Sequence, residues 1–235
     1  MAVKMILFDL DGTLLPMDMD VFIKSYFGGL SKKLAPLGYD PQVLVKNVWK
    51  GTSAMLQNDG SQTNEEAFWQ AFASFYDADV RKDEPVFAEF YANEFQQAKE
   101  VCGFAPEAKT TIDTLKEMGY RVALATNPIF PAIATESRIR WAGLEPSDFE
   151  LYTTYENSRF SKPNPAYYQW VADTLNVTPE ECLMVGNDVD DDLPAEKIGM
   201  KTFLLTDCLI NKEEKDISAY PQGNFDSLLE YIKTL

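Results

Sequence analysis

The chain has 235 residues, 46% of them hydrophobic and 25% charged, which suits a folded protein with room for one domain and an insertion. Its formal net charge of −16 argues against nucleic acid and anionic membranes as partners, and its lack of histidine excludes Ser-His-Asp and Cys-His catalysis along with imidazole metal sites. Three widely spaced cysteines, Cys102, Cys182 and Cys208, form no CxxC pair and read as reduced thiols of a cytoplasmic protein, with no signal-peptide core or membrane span expected.

The first element is the apolar run Met5-Ile6-Leu7-Phe8, of strand length, followed at once by Asp9-Leu10-Asp11-Gly12-Thr13. An Asx-type turn explains Asp and Gly there. Yet two carboxylates leaving an apolar strand with no lysine or arginine beside them repel each other, unless a divalent cation or a shared proton lies between them. From Pro16 to Cys102 no strand is expected. Helical patterns run instead through 21–38, 41–51, 65–78 and 84–101, and Thr63 with Glu66 reads as a capping box. Phe68, Phe72 and Phe75 recur at helical spacing and are assigned to core packing. The region reads as a helical insertion after the first strand.

Beyond it the pattern alternates. A helix over 106–119 ending at Gly119 leads to a strand at 120–126, then helix 131–143, strand 149–155, helix 164–176, strand 181–187, helix 191–199, strand 201–206 and helix 225–235. Strands alternating with helices indicate an α/β fold with a Rossmann-like parallel sheet, in which ligands gather beyond the carboxyl ends of the strands. Three further polar clusters lie at such ends. Thr126-Asn127-Pro128 could supply a hydroxyl and an amide to an anion or simply cap a helix. Lys162, in Ser161-Lys162-Pro163, is a surface lysine or one whose direction Pro163 restricts. Asp188, Asp190, Asp191 and Asp192 form an acidic helix start or hold a hard cation, for which magnesium, with oxygen ligands at about 2.0–2.1 Å, is suited.

With these four clusters in this order, the chain resembles the haloacid dehalogenase-like superfamily of phosphohydrolases. Asp9 to Thr13 match its first motif, Thr126 the second, Lys162 the third, and Gly186-Asn187-Asp188 with the following aspartates the fourth. Asn187 departs from the usual Gly-Asp, and the second acid of that motif falls on Asp192 or Asp191. The resemblance implies a core over 1–15 and 103–235 and a helical cap over 16–102. It implies a magnesium-dependent phosphatase acting on a small phosphorylated metabolite through an aspartyl-phosphate on Asp9. Asp11 and Lys162 would complete the catalytic set, with Asp11 as acid and base. Thr126, Asn127 and Lys162 would bind substrate, and Asp9, Asp11, Asp188 and Asp192 would hold the metal. An acid two residues after the nucleophile suits an alkoxide leaving group better than a halide. A β-phosphoglucomutase-like mutase and a non-catalytic phospho-ligand-binding protein are the rival readings. Tyr26, Trp49 and Lys50 are candidates for contacts to the leaving group, and a monomer or weak homodimer is expected.

Overall fold

The computed structural model describes residues 2–76 and 79–235. Strands β1 (Met5–Phe8), β2 (Arg121–Leu124), β3 (Cys182–Gly186), β4 (Lys201–Leu205) and β5 (Gln222–Gly223) form one parallel sheet in the order β2-β1-β3-β4-β5. All four residues of β1 are buried, as a central strand covered on both faces requires. Ile6 and Phe8 point into one apolar layer with Ile112 and Leu115 of α5 (Pro106–Glu117) and Leu228 of α8 (Phe225–Ile232). Met5 and Leu7 point into the other, against Tyr167, Tyr168 and Val171 of α7 (Pro165–Thr174). In register, Phe8 lies beside Leu124 on one side and Val185 on the other. The residues that follow β1, β2 and β3 therefore emerge side by side at one edge.

Between β1 and α5 lie helices α1 (Met19–Leu34), α2 (Pro41–Leu56), α3 (Asn64–Ala73) and α4 (Glu84–Ala92), then a 3-10 stretch at Glu94–Val101. Their starts are fixed by side chains. Asp18 accepts from the amides of Asp20 and Val21, Asp40 from those of Gln42 and Val43, and Thr63 and Glu66 form the expected capping box. The two ends of this helical layer meet, with Met17 and Cys102 forming an antiparallel bridge and the Gly103 amide donating to the Pro16 carbonyl at 2.7 Å. Helix α6 (Ala132–Trp141) follows β2 and leads back under the layer.

Several expectations need correction. The segment 149–155 forms only a single bridge, Tyr152 to Leu124: the amides of Glu150 and Thr153 donate to the Val122 and Leu124 carbonyls of β2, and the pairing stops at Thr154, whose amide turns to Asn157 Oδ1. The segment 191–199 is a 3-10 turn at Leu193–Ile198, stopped by Gly199 in the left-handed region at φ 99°. The two-residue β5 gave no sequence signal. Phe68 and Phe72 are buried, but Phe75 lies beyond the end of α3, is 41% exposed and carries Lys50 Nζ 3.8 Å above its ring. The last two residues of the helix expected over 65–78 lie outside the described residues. Among the described residues no helix is long and apolar enough to cross a membrane.

Candidate active site

The edge where β1, β2 and β3 end forms a pocket of about 130 Å³ lined by Asp9, Asp11, Thr126, Asn127, Asp188 and Asp192, among others. Asp9 is the first residue after β1. Its Oδ1 accepts from Lys162 Nζ at 2.9 Å, and its Oδ2 receives a longer contact of 3.3 Å from Thr13 Oγ1. Lys162 is buried, precedes a cis Pro163, and bridges Asp9 to Asp192, whose Oδ1 lies 2.7 Å from Nζ. Burial works against its charge, but Asp192 and Asp9 outweigh that and hold its pKa well above the usual lysine value.

Asp192 is fully engaged. Its Oδ1 takes Lys162 and its Oδ2 accepts from the Asp188 amide at 2.9 Å. It reaches this place because Gly186 has no Cβ, since one built there would lie 2.0 Å from Asp192 Oδ2. Gly12 does the same for Asn187. Its φ is 81°, and a Cβ would stand 2.3 Å from Asn187 Nδ2. The Asn187 amide thereby accepts from Thr13 Oγ1 at 2.9 Å and donates to the Cys208 carbonyl at 2.7 Å, tying the loop after β1 to the loop after β3.

The other predicted residues converge on the same pocket. Thr126 is buried, with its carbonyl accepting from Thr153 Oγ1 and the Tyr167 hydroxyl. Asn127 donates from Nδ2 to Asp191 Oδ2 at 3.0 Å, while its Oδ1 is buried without a partner. Asp188 Oδ1 accepts from the amides of Asp190 and Asp191, which turns the acidic loop back on itself. Burial raises the pKa of Asp191, against the pull of Lys162, and Asp188 adds to the rise. Asp190 points elsewhere and pairs with Lys215.

Arg138 is the residue that sequence reasoning missed. It lies on α6, is 1% exposed, and ion-pairs with Asp11 Oδ2 while its guanidinium covers the Phe130 ring at 4.3 Å. The available signal was an arginine on the same face as Ala134 and Ala142, four residues to either side and both buried. Asp11 Oδ1 is buried with no partner. Burial raises the Asp11 pKa, Arg138 opposes that rise, and Asp9 adds to it.

Five aspartates, at 9, 11, 188, 191 and 192, thus line this pocket, with Lys162 paired to Asp9 and Asp192 and Arg138 paired to Asp11. Among the described residues no three acidic or sulfur side chains close into a ready-made metal cage. The donor set instead fits a hard cation that keeps several waters and takes one or two carboxylates, as magnesium does. The excess of negative charge points the same way.

The family model of the haloacid dehalogenase-like hydrolases matches residues 3–199. A phosphoglycolate phosphatase from Vibrio parahaemolyticus is 27% identical over 241 residues, covering 99% of this chain and 96% of that protein. A pyrophosphatase from Bacillus pumilus is 31% identical over 99 residues, covering 41% of this chain and 44% of that protein. Among solved structures, a HAD phosphatase from Thermococcus onnurineus superposes with a TM-score of 0.60 at 19% identity, with 98% of each chain covered.

Proposed function

The chain belongs to the haloacid dehalogenase-like hydrolases and is a phosphoric monoester hydrolase, and on that premise we propose that Asp9 attacks the phosphorus of a small phosphorylated metabolite and is itself transiently phosphorylated. The observation that carries this reading is the Lys162 bridge, which fixes Asp9 at the mouth of the sheet beside Thr126 and Asp188.

An Asp9 oxygen forms the new O–P bond as the bond to the leaving oxygen breaks. Asp11 gives its proton to that leaving oxygen through Oδ1, the atom with no partner at rest. In the second step Asp11 takes a proton from water, water attacks phosphorus, and Asp9 is released. Lys162 and the Thr126 hydroxyl hold phosphoryl oxygens as negative charge builds, with the amides of Leu10 and Asn127 as further donors. Asp9, Asp188 and the Asp11 carbonyl oxygen would hold magnesium, whose positive charge would let an anionic carboxylate approach an anionic phosphate. Asp192, with both oxygens engaged, serves to hold Lys162 and the Asp188 loop. The helical layer over 16–102 acts as a cap that excludes water during the first step.

Asp9→Asn tests this. It removes the nucleophile and keeps the shape, so phosphate release from ethyl phosphate with magnesium should fall at least about 10³-fold, while the unfolding temperature stays within a few degrees. Residual turnover above a few per cent would contradict the role of Asp9. An isomerised product formed without free phosphate would identify a mutase instead.

A further inference from the structure

We propose that the leaving group accepted by this enzyme is a small uncharged apolar group, a branched alkyl chain or a single ring, seated in an aromatic cavity next to the catalytic pocket; this rests on the phosphatase reading above. The cavity has a volume of about 100 Å³. Met19, Ile129 and Phe130 line both it and the pocket that contains Asp9. The two spaces are therefore adjacent and meet at these three side chains, past which a group bonded to phosphorus at Asp9 would extend. Phe22 and Tyr26 of α1, Val48 of α2 and Phe68 of α3 form its far walls.

No lysine, arginine, aspartate or glutamate lines this cavity among the described residues. Arg138 lies behind Phe130 and is taken by Asp11. The polar atoms of the walls are largely satisfied within the protein. The Tyr26 and Tyr91 hydroxyls share a 2.9 Å hydrogen bond, and Thr52 Oγ1 donates to the Val48 carbonyl. The buried Trp69 indole N–H faces Tyr155 without completing a full hydrogen bond to it. A carboxylate would enter this space without a cation to meet it, which strongly disfavours a glycolate-like leaving group. Size sets the other limit. An apolar cavity of about 150 Å³ is known to take up benzene. The present one is smaller, at about 100 Å³, so it takes a branched alkyl chain or part of one ring, the rest lying towards the catalytic pocket, and it has no room for a nucleoside. Of the residues expected to contact the leaving group, Tyr26 and Trp49 line this cavity and Lys50 does not.

The test compares benzyl phosphate, ethyl phosphate and phosphoglycolate with the magnesium-loaded full chain, three esters of alcohols with similar leaving ability. We expect kcat/KM for benzyl phosphate to exceed that for each of the others at least tenfold. We also expect Ile23→Trp, which fills the cavity from α1, to cut the ratio of benzyl to ethyl phosphate at least tenfold. Equal or better use of phosphoglycolate by the wild-type protein overturns the proposal, whatever the variant does, and so does an unchanged ratio in a folded Ile23→Trp. Turnover of none of the three sinks the phosphatase reading instead. Calorimetry then decides the cavity separately: benzyl phosphate must bind at least tenfold more tightly than phosphoglycolate, and anything less overturns the proposal.

Discussion

Gly186 shows how much of the site depends on an atom that is not there. A carboxylate packed 2.0 Å from the position of a Cβ leaves no room for any other residue. Gly186→Ala must push Asp192 away, and Asp192 is the second anion that holds Lys162 in place. The overpacking should cost about 1–3 kcal/mol of stability, read as a lower midpoint in urea unfolding. Turnover should fall as well, at least tenfold, because Lys162 then has only Asp9 to orient it. An alanine variant with wild-type kcat would show that the Asp192 bridge has no part in placing Lys162. The glycine at the strand exit was visible in the sequence. Its reason was not, because it depends on a side chain six residues later folding back over it. Asn187 is the same case. Its contact with Gly12 joins residues 174 or more positions apart in the chain, and no local pattern encodes that.

At the scale of elements, Asn64 at the start of α3 ties the helical layer to the sheet. Its fully buried side chain donates to the Pro128 carbonyl at 3.1 Å and to Ser161 Oγ at 3.0 Å, while Oδ1 accepts from Asn58 Nδ2 at 2.9 Å. Those partners flank Asn127 and Lys162, so one amide latches the layer to two of the loops that form the site. Asn64→Leu keeps the volume and leaves the partners without their bonds. It should cost about 2 kcal/mol, roughly 4–8 °C in Tm for a chain of this size, by calorimetry. A loss under a degree would mean that water replaces the latch without cost. The sequence revealed the capping box one residue before Asn64 but not the latch. Period and caps are local signals, and β1 to β4 and most helices were readable from them. The 149–155 segment looked like a strand by composition, yet its pairing ends at Thr154, whose amide bonds Asn157 Oδ1 three residues on in a tight local turn. Arg138 sat in a helix whose apolar face is weakly marked, and only the approach of Asp11 gives it meaning.

The whole molecule carries a net charge of −16, and its candidate site is acidic too. The same field therefore acts in opposite senses on the two species the proposed reaction needs. It repels an anionic phosphomonoester and attracts a divalent cation. Raising ionic strength from about 0.01 M to about 0.15 M shortens the Debye length from about 30 Å to about 8 Å, which weakens both effects. With magnesium saturating, kcat/KM for ethyl phosphate should rise with added potassium chloride, because less repulsion is felt on approach. The magnesium concentration giving half-maximal rate should rise over the same range, because less attraction is felt by the cation, and EDTA should abolish the rate at either salt. The contacts around Lys162 are buried and only weakly screened, so kcat itself should move little. A kcat/KM that falls with salt would mean that the substrate meets a positive field at the mouth, with the charge of Lys162 or Arg138 reaching solvent despite the carboxylates paired with them. Full activity in chelator would remove the cation from the reaction altogether, and with it the reason for placing so many carboxylates where β1 and β3 end.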